Sequence, residues 1–195
     1  MHISSLFFLI PIAHAFTLAH NNEAIPSTSE DTCWLSWSKN PRFQLNQVAY
    51  YSLVKFHLSH AEPKYANFNF SLTNTITNDQ IKVGPAQCTG TSGWSIVDSD
   101  FFNPHQIGQS EFNCNDAAGT TGKTQFTFAK DTTGNKLSIN QTWTCGGREF
   151  IAFGDTTINL SCHTNTWKDE WYTSAHETVC DKFDIDVGYL VSYAN

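Results

Sequence analysis

The run Leu137-Ser138-Ile139-Asn140-Gln141-Thr142-Trp143-Thr144-Cys145 decides the fold. Its odd positions are mostly apolar and its even positions are Ser, Asn or Thr, so an extended chain shows one dry face and one wet face. The same period recurs in Tyr65-Ala66-Asn67-Phe68-Asn69-Phe70-Ser71-Leu72, where Phe68, Phe70 and Leu72 share a side, and in Gln125-Phe126-Thr127-Phe128. Further strands are expected near 48–59, 80–84, 149–153, 156–162 and 183–193.

Turn signals separate these runs at short intervals: Asn78-Asp79, Gly84-Pro85, Asn103-Pro104, Ala118-Gly119, Thr133-Gly134-Asn135 and Cys145-Gly146-Gly147. Between Phe128 and Leu137, AKDTTGNK reads as a hairpin loop in which Gly134 supplies positive φ. Fifteen Phe, six Trp and six Tyr against only 15% charged residues also favour pleated structure over helix. The fold class is therefore all-β: a single antiparallel β-barrel or sandwich of about 8–11 short strands, stapled by disulfides. Residues 166–178 (TWKDEWYTSAHET) read as either a helical turn or a loop. No internal repeat or second domain is visible.

Residues 1–15 read as a signal peptide, with an apolar core from Leu6 to Ala13 and a small-x-small cleavage site at Ala13-His14-Ala15. That apolar run is far short of the ~20 residues that span a bilayer. Polar residues 16–32 form a flexible N-terminal segment, and 33–195 form the β domain. All six cysteines follow the leader, so the expected location is secreted and extracellular, with Cys33, Cys88, Cys114, Cys145, Cys162 and Cys180 in disulfides. Many pairings are open. Cys145–Cys162 would clip consecutive β segments and Cys33–Cys180 would tie the chain ends, whereas the main rival joins Cys162 to Cys180 and leaves Cys33 for a partner chain.

A net charge of -7 argues against nucleic acid and anionic membrane surfaces as partners. No metal site is expected, because no C-x2-C pair exists and the compartment is oxidising. His57 and His60 would pair on a metal only in a helix, and that segment reads as strand. No cofactor is expected. Residues 117–124 (AAGTTGKT) satisfy a loose phosphate-loop pattern but lead into the strand at Gln125–Phe128 rather than a helix, so they read as a β-turn. Asp184 and Asp186 share one strand face about 7 Å apart, within glycosidase reach, but Phe183, Ile185 and Val187 take the core side and leave both carboxylates in water. Asp98 and Asp100 read as loop carboxylates. His163 and His176, with Glu177 and Arg148, supply the residue types of a ribonuclease acid–base set. No G-x-S-x-G elbow surrounds any Ser.

Two kinds of surface feature remain. Asn69-Phe70-Ser71, Asn140-Gln141-Thr142 and Asn159-Leu160-Ser161 are glycosylation acceptors by pattern, each with its Asn on the polar side of a strand. Trp143 lies on an apolar strand face and belongs to the core. Trp34, Trp37, Trp167 and Trp171 lie in polar surroundings and form a candidate binding surface, since Trp offers large contact area with few rotors.

Cys88, a Gly/Trp-containing stretch, Cys114, the paired strands TQFTFAKDTTGNKLSINQTWTC and the run AFGDTTINLSC together resemble secreted fungal proteins of the Alternaria major-allergen type. Tyr51-Ser52-Leu53 ahead of the alternating Phe strand is similar too, and the resemblance covers roughly 45–195. It implies a compact antiparallel β-barrel, fungal secretion, a Cys88–Cys114 bridge, and a group of allergens, elicitors and plant-interaction effectors with no shared catalytic set. Relatives dimerise through an N-terminal cysteine, near which Cys33 falls, so monomer and dimer both stay open. The functional expectation is a non-enzymatic effector that binds a host extracellular protein, such as a plant defence protein. The alternatives are a small-ligand or glycan binder and a secreted hydrolase such as a ribonuclease.

Overall fold

The computed structural model describes residues 40–56, 65–76, 81, 83–93, 102, 111–131, 134–168 and 174–193. Among them are twelve strands and no helix: β1 (Arg42–Phe56), β2 (Tyr65–Asn74), β3 (Ala86–Gly93), β4 (Phe112–Asn113), β5 (Asn115–Asp116), β6 (Lys123–Asp131), β7 (Gly134–Cys145), β8 (Arg148–Ile158), β9 (Cys162–Trp167), β10 (Ser174–Cys180), β11 (Phe183–Gly188) and β12 (Leu190–Tyr193). All pairings are antiparallel. One sheet runs β5-β3-β2-β1-β10-β9, with β11 also on β1, and the other runs β12-β8-β7-β6-β4. In β7, Leu137, Ile139, Gln141, Trp143 and Cys145 are all buried, which is the dry face expected from their period.

The two dry faces meet in an aromatic core. Phe68 of the first sheet lies parallel to Phe128 of the second, with ring centroids 3.9 Å apart, and Phe70 meets Phe126 edge-on at 5.0 Å. Gly90 in β3 makes room for this cluster, because a Cβ there would sit 2.9 Å from the Phe112 ring. Truncating a fully buried ring such as Phe68 to Ala is expected to cost about 3–5 kcal/mol, through lost transfer energy and the cavity left behind.

Among the described residues the sheets do not close into a barrel; they form a sandwich, one of the two all-β architectures expected, rather than the compact barrel that the family resemblance implies. The chain crosses between sheets at both sides, and side chains make the seams where a barrel would have a continuous ladder. On one side β4 pairs with β6 and β5 with β3, and Cys114 between them is bonded to Cys88 of β3. On the other, Tyr189 links β11 to β12 and stacks on Phe43 with centroids 4.3 Å apart. Its hydroxyl donates to Asn74 Oδ1 at 2.7 Å.

Asn74 belongs to a buried polar chain between the sheets. Its Nδ2 donates to Gln141 Oε1 at 2.8 Å, Gln141 Nε2 to Thr124 Oγ1 at 2.9 Å, and Thr124 Oγ1 to Asp116 Oδ1 at 2.5 Å. Thr124 N donates to the other Asp116 oxygen at 3.0 Å. Polar groups taken out of water in this way hold register, because a one-residue slip strands each of them.

Three expectations are revised. Cys162 is bonded to Cys180, the rival pairing named above, with 3.9 Å between Cα atoms, so neither Cys145–Cys162 nor Cys33–Cys180 forms. The cause is local pairing: Cys162 and Cys180 face each other across the β9–β10 ladder. Cys145 is also disulfide-bonded. The stretch 166–178, read as helical turn or loop, contains the end of β9 and most of β10. The strand expected near 80–84 starts later, at Ala86, after Gly84 and Pro85. The leader, residues 16–32, His57, His60, Asp98 and Asp100 lie outside the described residues.

Candidate functional site

The side of β2 turned away from the core carries Tyr65, Asn67, Asn69 and Ser71, at alternate positions to the buried Ala66, Phe68, Phe70 and Leu72. β3 places Gly93, Thr91, Thr89 and Gln87 directly across from them. β1 sets Tyr51 opposite Asn67 and Leu53 opposite Tyr65. The outer face of the larger sheet is thus a row of amides and hydroxyls ending in two tyrosines.

A β-bulge shapes this face. The pairing of β1 with β2 shifts between Asn46 and Ala49, and that with β11 shifts between Leu45 and Val48. Gln47, in the extra segment, adopts φ 55°, a left-handed conformation that costs a non-glycine residue about 1–2 kcal/mol. Its N–H, turned out of the ladder, donates to Asp184 Oδ1 at 2.8 Å. Beside it lies a groove of about 180 Å³ lined by Gln47, Asn69, Phe70, Ser71, Gln87, Cys88 and Thr89. Ser71 Oγ donates to Gln87 Oε1 at 3.4 Å within it.

Further along, the Tyr51 and Tyr65 rings lie 5.8 Å apart. Burial, then hydrogen bonds with Tyr65 and Glu177, push the Tyr51 phenol well above its ordinary range. Glu177 stands opposite Leu53 on one side and Asn165 on the other. Tyr65 is 39% exposed, while Tyr51 and Glu177 are half-buried beside it and the two tyrosine rings are tilted by 39°.

The structure separates the residues singled out above. Trp167 is exposed at the end of β9, opposite Ala175 on this same face, while Trp34, Trp37 and Trp171 lie outside the described residues. His163 pairs with Val179 and His176 with Thr166, so the two imidazoles project from opposite faces of the sheet. Arg148 stands in the other sheet, opposite Cys145. The ribonuclease-like set is not assembled. Asp184 and Asp186 are exposed on one strand face, as their alternation requires; Asp186 meets Arg42 Nη1 at 3.4 Å while Asp184 holds the bulge. No group of three or more His, Cys, Asp or Glu gathers to hold a metal ion among the described residues.

In the phosphate-loop look-alike, Lys123 and Thr124 open strand β6. Gly122 is needed for space: a Cβ there would overlap the Thr142 carbonyl oxygen. Of the sequons, Asn159 is exposed beyond the end of β8, whereas Asn69 and Asn140 are half-buried within strands. Asn140 Nδ2 lies 3.5 Å from Glu111 Oε1.

Sequence reasoning missed Gln47, Tyr51, Tyr65, Gln87 and Thr89 as surface candidates. The alternation at 65–72 already put Tyr65, Asn67, Asn69 and Ser71 on one side. What it lacked was the neighbouring strand that sets Gln87 and Thr89 beside them.

These features define a disulfide-stapled antiparallel β-sandwich with a shaped polar and tyrosine-lined face. Residues 43–180 match the family model described as Alternaria alternata allergen 1, and the chain belongs to that family. No curated protein and no solved structure matches it.

Proposed function

We propose that this chain is a secreted, non-enzymatic fungal effector of the allergen family that binds a host extracellular protein, a plant defence protein being the expected kind. The partner class follows from the family resemblance. One observation supports the surface: Tyr51, Tyr65 and Glu177 cluster on the outer side of the larger sheet, where Tyr65 and Trp167 are exposed. Tyrosine and tryptophan bring large rigid contact area at low entropic cost and dominate binding energy at protein interfaces. A bulge-shaped groove beside the cluster gives the face relief that a flat sheet lacks.

The test is capture of partners from plant extracellular fluid on the oxidised protein, with the reduced and alkylated protein as control. A protein retained by the oxidised form alone supports a folded binding surface. Retention of nothing above the control, across several hosts, overturns the reading.

A further inference from the structure

The groove beside Gln47 has a chemistry of its own. Gln47, Asn69, Ser71, Gln87 and Thr89 present amides and hydroxyls, and no charged side chain lines it. Two carboxylates of the neighbouring strand β11 are already engaged: Asp184 accepts the Gln47 N–H, and Asp186 faces Arg42. Asn69 has no side-chain partner among the described residues, so its amide is open to a ligand. The rows Ser71-Asn69-Asn67 and Gln87-Thr89-Thr91 run side by side, and six residues of strand carry them from Ser71 to Tyr65 over about 20 Å. The row ends at the Tyr51–Tyr65 pair, whose rings can cover the flat apolar face of a pyranose.

We infer that this groove is a binding site for a neutral oligosaccharide. Neutral amide and hydroxyl groups match sugar hydroxyls as both donors and acceptors, whereas a phosphate or uronate would find no cation here and would meet a chain of net charge -7. The left-handed Gln47 fits the same role, because a bulge re-aims a side chain where a regular strand would bury or displace it. The inference goes beyond the protein-partner reading: it gives the groove, together with the tyrosine pair that both readings use, a ligand of its own, and its test needs no partner protein.

The experiment is titration of the ¹⁵N-labelled, oxidised full chain with cellohexaose, xylohexaose or chitohexaose, with an oligogalacturonate as the charged control. The expected result is that at least one neutral sugar shifts the side-chain amides of Gln47, Asn69 and Gln87. Gln87→Ala and Thr89→Val, both at exposed positions, should each weaken the effect about tenfold while leaving the rest of the spectrum in place. Absence of shifts with all three neutral sugars overturns the inference, as do equal shifts with the oligogalacturonate or shifts confined to another face. A glycan on Asn69 of the naturally processed protein, read by glycopeptide mass spectrometry, also overturns it, since that glycan would fill the groove.

Discussion

The backbone N–H of Gln47 donates to Asp184 Oδ1 at 2.8 Å, joining the bulge of β1 to the strand β11 that runs beside it. The carboxylate stabilises a left-handed residue whose N–H has left the ladder, and so holds the shape of the groove edge. Asp184→Ala should therefore lower stability by about 1 kcal/mol, the usual net worth of one exposed hydrogen bond, and Asp184→Asn by less, because it keeps an acceptor. Gln47→Gly should be neutral or stabilising, since glycine adopts positive φ without the Cβ penalty. Urea denaturation midpoints at unchanged slope are the check.

The inter-sheet pair Asn74–Gln141 is buried and fully engaged. Asn74→Ala would leave Gln141 Oε1, the Tyr189 hydroxyl and the Ile76 N–H without their acceptor or donor. The expected loss is about 3 kcal/mol or more, with Gln141→Ala similar. Because both changes break the same bond, the double variant should lose less than the two single losses added together, by about 1–2 kcal/mol. Additive losses in equilibrium unfolding would show that the bond does not couple the sheets.

Burial pushes the Tyr189 phenol well above its ordinary value of 10.0. A folded-state pKa above the unfolded one means that the unfolded chain releases its proton first as pH rises. The contribution to stability is whole below about pH 10 and shrinks above it, toward the folded value. Unfolding free energy should fall with alkaline pH more steeply in the wild type than in Tyr189→Phe. Identical slopes would contradict the assignment.

Gly122→Ala should cost about 2 kcal/mol or more, because its Cβ would meet the Thr142 backbone carbonyl rather than a side chain that can swing away. Gly93→Ala, where a Cβ meets nothing within 4 Å, is the control and should change stability little. Thermal unfolding of the two variants distinguishes a steric need at position 122 from a general intolerance of side chains.

Much of the fold was legible because one-sided burial forces a period of two, and Phe68, Phe70, Leu137 and Ile139 obey it. What periodicity cannot report is which strands become neighbours. Cys162 and Cys180 pair because β9 and β10 form one ladder, yet TWKDEWYTSAHET between them shows no alternation strong enough to announce it. The choice between sandwich and barrel was equally hidden, since it turns on seams made by the Cys88–Cys114 bond and by Tyr189. Gln141 broke the apolar pattern of its strand, and that break was the visible trace of the buried polar chain. The groove was out of reach because Gln47, Asn69 and Gln87 come from three strands, and only their register assembles it.

The most direct test of the binding account compares the two outer faces of the sandwich. The second sheet also exposes apolar side chains, with Leu190 at 80%, Phe153 at 46% and Ile151 at 37%, so it is the natural competitor. The measurement is retention of the captured extracellular protein by wild type, by Tyr65→Ala/Glu177→Lys and by Phe153→Asp/Leu190→Asp, all oxidised and checked for fold. The account predicts that the first pair abolishes retention and the second leaves it intact. Retention that survives the Tyr65/Glu177 changes and is lost with Phe153 and Leu190 would contradict it.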